Sequence, residues 1–199
     1  CFLDQAYALL ELAVLARYQG QYEYAVARLT HAERIAQKYH DDTLTQTLLL
    51  ERAQINLDRG DAGTAAAFLT RLPLSRRVLL LWSEVYLLLG NFTRSRDTVQ
   101  QALGDTAQQP ADQARLMAAL SRAHEYAGDM EAALRYAQSA LMLLEPQDDP
   151  FALARAQSNL AALFAHSQRW EEAHRLLIRA ESVQSRLSDR VGLLVTQHN

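Results

Sequence analysis

The sequence predicts an all-α protein built from helical hairpins stacked in series, and three observations carry that expectation. Glycine and proline are scarce, 7 and 4 in 199 residues, which leaves little turn material for a many-stranded sheet. Alanine and leucine dominate, and no run of β-branched residues occurs. A short hinge followed by an alanine-rich helix recurs five times. The five segments are GQYEYAVARLTHA from Gly20, GDAGTAAAFLTRL from Gly60, GNFTRSRDTVQQA from Gly90, GDMEAALRYAQSA from Gly128 and QRWEEAHRLLIRA from Gln168.

Hydrophobic periodicity and local stop signals place the helices in order at 4–18, 22–38, 43–58, 62–71, 75–89, 92–103, 111–127, 130–144, 150–166 and 170–187, with an eleventh beginning near Asp189. Asp61, Asn91 and Asp129 each follow a hinge glycine and are placed to cap the next helix, while the glycine supplies a left-handed exit from the previous one. Pro110 and Pro150 suit first-turn positions, with Asp149 as a cap. The acidic pairs Asp41-Asp42, Asp148-Asp149 and Glu171-Glu172 fall at helix starts, where they complement the helix dipole.

Aligned on the hinges, the repeats agree column by column. Five residues after each hinge stand Ala25, Ala65, Ser95, Ala133 and Ala173, and seven before it stand Ala13, Ala53, Ser83, Ser121 and Ala161. Two after it come Tyr22, Ala62, Phe92, Met130 and Trp170, mostly large. Antiparallel helices cross tightly only where small side chains meet, so these columns mark close helix approach.

Bulk properties exclude several function classes. The net charge of −3 and the sparse arginines give no basic stripe, so nucleic-acid binding is not expected. No run approaches 18 uncharged apolar residues, so no membrane-inserted helix is expected. The single cysteine, Cys1, rules out an internal disulfide and fits a cytoplasmic location; an alternative makes Cys1 the lipid-anchor residue of an envelope lipoprotein. The start without methionine and the apparent mid-helix stop at GLLVTQHN suggest a piece of a longer protein. Phosphate-loop, GxSxG and HExxH motifs are absent, and no two of the six histidines lie three or four residues apart. Neither catalytic nor metal-ligating residues are predicted, and no cofactor is expected.

The small-residue columns resemble those of tetratricopeptide repeats, from about Asp4 to Arg186, and Gln113 to Pro146 matches best because it ends in a helix-breaking proline. The resemblance implies a right-handed α-α superhelix of five hairpins plus a truncated eleventh helix, one domain over 1–199. Its repeats fall at about 4–40, 41–73, 74–104, 110–146 and 150–187. Hinge spacings of 40, 30, 38 and 40 residues (20 to 60, 60 to 90, 90 to 128, 128 to 168) depart from the usual period. Such long, irregular repeats also resemble those of bacterial signalling regulators, including MalT-type sensor domains.

In this family the first helix of each pair lines a concave groove that holds a protein or peptide. Transferred here, the groove would carry Leu80, Glu84 and Leu87, then Arg115, Arg122 and Tyr126, then Arg155 and Asn159. Further residues on the same faces are Tyr7, Leu10, Glu11, Val14, Arg17 and Tyr18 in the first repeat and Leu50, Glu51, Gln54 and Asp58 in the second. The helix at 78–89, VLLLWSEVYLLL, is apolar nearly all round; it is either buried on both sides or presents an apolar stripe to a ligand. The groove is thus expected to be apolar toward the N-terminal half and basic toward the C-terminal half, suited to a partner with hydrophobic and acidic parts. Two other readings stand beside this one: an effector-sensing domain of a signalling ATPase or transcription regulator, and a lipoprotein scaffold. An interrupted array also exposes apolar surface at its end, which predicts homo-oligomer formation through terminal helices.

Overall fold

The computed structural model describes residues 2–104, 109–147 and 149–186. Cys1 and the expected eleventh helix lie outside them. Among the described residues there are ten α-helices and no strand. They are α1 (Phe2–Tyr18), α2 (Tyr22–Tyr39), α3 (Asp42–Asp58), α4 (Ala62–Leu69), α5 (Arg76–Leu88), α6 (Phe92–Leu103), α7 (Pro110–Tyr126), α8 (Met130–Leu144), α9 (Pro150–His166) and α10 (Trp170–Arg186). The expected boundaries hold to within two residues. The largest difference within the chain is at α4, which ends at Leu69 rather than 71; Pro73 disfavours helical geometry for Leu72, and the chain leaves the helix before it.

The helix ends have the causes their sequences imply. Asp61 accepts a hydrogen bond from the Thr64 amide at 2.9 Å, Asn91 from Arg94 at 3.2 Å, Asp129 from Ala132 at 3.1 Å and Asp149 from Ala152 at 3.0 Å. Asp41 and Ser75 cap α3 and α5 in the same way. The amide of Ala132 holds the Asp129 carboxyl below its ordinary value, and burial only partly opposes that; His124 lowers it further.

All five hinge residues are left-handed, with φ of +72° at Gly20, +79° at Gly60, +71° at Gly90, +82° at Gly128 and +60° at Gln168. At Gly60 the hinge amide returns to Leu57 O and the next amide, Asp61, to Asn56 O. The same paired bonds recur at Gly20, Gly128 and Gln168, a Schellman closure of each preceding helix. Gln168 adopts this geometry with a Cβ, at a cost that glycine avoids.

The chain forms two compact units, Cys1–Leu89 and Gly90–Asn199. In the first, α1 packs on α2 and α3 on α4, with α5 against α4 and α3. One core joins Leu9, Ala13, Ala25, Leu29, Ala32 and Ile55 across α1 to α3, and a second joins Ala53, Ala65, Leu69 and Val85 across α3 to α5. In the second unit, α6 packs on α7, α7 on α8, α8 on α9 and α9 on α10. Its cores join Ala133 and Ala137 of α8 to Leu160, Ala161 and Phe164 of α9 and Ala173 of α10. Both small columns are buried throughout, from Ala13 and Ala25 to Ala161 and Ala173. Where the upstream column carries serine, the hydroxyl finds a carbonyl: Ser121 donates to Ala133 O at 2.9 Å and Ser83 to Leu80 O at 2.7 Å.

Two outcomes test this packing. Ala133→Leu adds a side chain where Ser121 meets the α8 backbone, so overpacking is expected to cost about 1–3 kcal/mol in urea unfolding. Gln168→Gly relieves a left-handed residue and is expected to raise the melting temperature, with a gain of up to about 1 kcal/mol; a lower melting temperature would contradict the hinge assignment.

Candidate functional site

In the second unit, α7 and α9 run along the two sides of a cleft whose floor is α8. The floor and lower walls are alanines: Ala118 from α7, Ala137 and Ala140 from α8, and Ala156 and Ala162 from α9. These residues are small because the helices cross closely, and the same smallness leaves room above the crossing. One part measures about 100 Å³ and is rimmed by Arg122, Glu125 and Asn159. It continues into a smaller part of about 30 Å³, bordered by Arg115, Asp149, Arg155 and again Asn159. Ligand pockets for whole small molecules run to about 300 Å³ and more, and this cleft is smaller.

The sequence-predicted residues divide as follows. Arg115, Arg122, Arg155 and Asn159 are brought together on this cleft by α7 and α9. Arg115 and Arg155 are exposed, and Arg115 lies 3.7 Å from Asp112 one turn earlier. Tyr126 does not line the cleft; it is exposed, with its ring stacked on Phe92 at 5.8 Å. Leu80, Glu84 and Leu87 are on α5 of the first unit, all half-buried. On that helix Val78, Leu81, Ser83 and Val85 are buried, while Leu88 is exposed and Leu89 follows it exposed. From Val78 to Leu87 every residue is buried or half-buried, and the apolar run is open only at its C-terminal end.

Two polar contacts border the cleft helices. His166 Nδ1 lies 3.0 Å from Glu125 Oε1, joining the C-terminal ends of α7 and α9. His124 stacks on Tyr136 at 5.3 Å and places Nδ1 3.2 Å from Asp129, so it serves packing and the hinge. Among the described residues no group of three His, Cys, Asp or Glu could hold a metal ion.

The first unit is electrostatically different. Glu51 of α3, 5% exposed, accepts from Arg17 of α1 at 3.3 Å and from Arg77 of α5 at 2.8 Å. Arg17 also donates to Asp58 at 3.0 Å, and Gln54 donates to Asp58 at 2.9 Å. Burial disfavours the charge on Arg17, but Glu51 and Asp58 outweigh it and push its pKa further up. Residues that the sequence places on the N-terminal groove face are thus linked into one charged lattice, on a face whose leucines alone imply an apolar surface. Leu10 and Leu81 of that face are buried in the two cores. No sequence signal pairs Arg17 with Glu51, because they lie 34 residues apart on different hairpins.

Neither a protein-family model nor any curated protein matches the chain. Solved structures do match. A thermophilic TPR protein of Thermus thermophilus superposes with a TM-score of 0.72 at 20% identity, over 98% of this chain and 100% of that one. Nearly identical TPR-like repeats of a Podospora anserina protein described as a putative kinesin light chain give 0.59 at 16% identity, over 94% and 98%. The APC/C hetero-tetramer Cut9–Hcn1 gives 0.64 at 19% identity, over 98% of this chain and 36% of that one. The fold is accordingly the all-α superhelical repeat fold of tetratricopeptide-repeat proteins. Among the described residues no helix is long and apolar enough to cross a membrane.

Glu51 offers a direct test of the first unit's lattice. Glu51→Gln removes the charge between two arginines, one of them largely buried, and is expected to lower stability by about 1–3 kcal/mol in urea unfolding. The loss falls short of that for an isolated buried pair, since Asp58 still faces Arg17 and the Arg77 side chain is 57% exposed.

Proposed function

We propose that the chain is a non-enzymatic interaction module that holds a peptide segment bearing apolar and acidic side chains in the α7–α9 cleft. One observation carries this reading: three arginines and an asparagine from two different helices border an alanine-floored cleft sized for side chains. A small apolar side chain fills the floor, excluding water from Ala137 and Ala140, while a carboxylate nearby takes paired N–H donors from a guanidinium. Asn159, common to both parts of the cleft, can hold the peptide backbone through its amide. Tyr126, exposed at the end of α7, is proposed as a further partner-binding residue. On α5, Leu80, Glu84 and Leu87 are proposed as further partner-binding residues of the first unit.

The absence of a recognisable catalytic motif supports a binding role rather than a reaction. The host is proposed to be a bacterial regulatory or scaffolding protein of the cytoplasm, supported by the long repeats and the single cysteine.

A peptide array pairing apolar residues with Asp or Glu at graded spacings tests the reading. Bound peptides are expected to weaken as salt rises, and Arg122→Ala with Arg155→Ala is expected to reduce their affinity by more than about tenfold in fluorescence titration. Unchanged affinity in a variant that keeps its helical circular dichroism would sink the proposal.

A further inference from the structure

The outward face of α2 carries charge of one sign, and the repeats indicate that stacked hairpins leave such a face open. Tyr24, His31 and Lys38 stand seven residues apart, nearly in line along the helix, and Arg28 and Arg34 flank that line. His31, Arg34 and Lys38 are exposed and Arg28 is half-buried. Counted from the hinge, His31 and Arg34 correspond to Ser139 and Met142 of α8. Both of those are exposed, Met142 at 70%, although α7 and α9 pack on that helix from either side in the chain.

The cations of this face have no carboxylate of their own. The two acids of α2 are turned toward α3: Glu33 accepts from Arg52 at 2.6 Å, and Glu23 lies 4.0 Å from Arg59, which follows that helix. Among the described residues none of Arg28, His31, Arg34 and Lys38 pairs with an acid. Arg28 instead lies 4.7 Å over the Tyr24 ring with its Nε buried and unbonded, and Lys38 lies 5.6 Å from the Tyr39 ring. Elsewhere arginines are answered on their own helix, Arg96 by Asp97 in α6 and Arg135 by Glu131 in α8. A face that only meets water ordinarily mixes both signs. Here three permanent positive charges and an imidazole fall within about 15 Å, and neighbours lie inside one Debye length of each other.

We infer that this stripe docks an acidic α-helix of another protein, laid alongside α2. The spacing selects a helix over an extended strand. Steps of three, three and four residues separate positions 28, 31, 34 and 38, about 4.5 to 6 Å each along the axis. Carboxylates three or four residues apart on a partner helix repeat at the same rise. Same-side residues of a strand repeat at about 6.6 Å and fall out of step within three contacts. The chain's net charge of −3 disfavours a long polyanion, which would meet the acidic remainder of the surface, whereas a single helix meets only the stripe. The exposed rings of Tyr24 and Tyr39, at the two ends of the stripe, suit apolar side chains flanking the partner's acidic run. This surface belongs to the first unit and the α7–α9 cleft to the second.

Fluorescence titration of the 199-residue chain tests the docking with a labelled, alanine-based helical peptide bearing glutamates at i, i+3, i+7 and i+10. A control peptide of the same composition spreads its glutamates around the helix. The first peptide is expected to bind at least about tenfold more tightly than the control, and more weakly as salt rises. Arg34→Gln with Lys38→Gln is expected to reduce that affinity at least about tenfold. Arg122→Ala with Arg155→Ala, which removes the same number of charges from the cleft, is expected to leave it unchanged. Arg34 and Lys38 are exposed, so helical content and melting are expected to persist and are measured alongside. Equal affinity for the two peptides, or no binding of either, overturns the inference. An equal loss in the cleft variant overturns it too, by moving the acidic partner to α7 and α9. A single-stranded oligonucleotide or a phosphatidylserine vesicle that binds more tightly than the acidic helix, and depends on the same two α2 residues, overturns the choice of partner.

Discussion

The structure depends on how closely its helices can cross. In the hairpins α1–α2, α3–α4, α7–α8 and α9–α10 a small residue seven before the hinge is buried with a small residue five after it, as Ala13 with Ala25 and Ala161 with Ala173. Helix axes approach within reach of dispersion contact only when no longer side chain intervenes, and leucines from adjacent turns then fill the flanks. Two cores in the first unit arise from this one rule, as do those described in the second. The columns also accept serine: the Ser121 hydroxyl reaches a carbonyl, whereas Ser95 is buried with its hydroxyl unbonded.

A second consequence of small residues is empty space. Ala137 and Ala140 sit in packing columns, yet they also floor the cleft between α7 and α9. The residues that could choose a partner, Arg115, Arg122, Arg155 and Asn159, stand on the rim that those alanines hold apart. Any recognition there is therefore a by-product of packing geometry, with charge added at its edge. In the first unit, the arginines at 17 and 77 are turned on the chain's own Glu51. A guanidinium on a helical face thus serves structure where a buried carboxylate lies within its reach.

Helix limits were legible to within two residues because each end is written locally. A glycine frees the left-handed φ, the following Asp or Asn caps the next helix, and neither device needs the rest of the protein. Gln168 shows the limit of residue-type reasoning, since spacing alone identified it as a hinge and its positive φ followed without glycine. The arginines of the cleft could be placed on a common face from their helical spacing. Their meeting with an alanine floor could not, because the floor comes from α8 and the walls from helices some forty residues apart.

By itself the sequence determined the all-α hairpin repeat, the hinges, the caps and the buried small columns, since all of these follow from periods and neighbours within one hairpin. Tertiary structure alone decided which polar groups are spent on each other and which apolar ones remain uncovered. Arg17 and Glu51, 34 residues apart, meet only once α1 and α3 are packed. Leu15 is exposed, whereas Ile55, Val85, Ala123 and Leu163 at the same distance from later hinges are buried, so the position in the repeat alone does not fix burial.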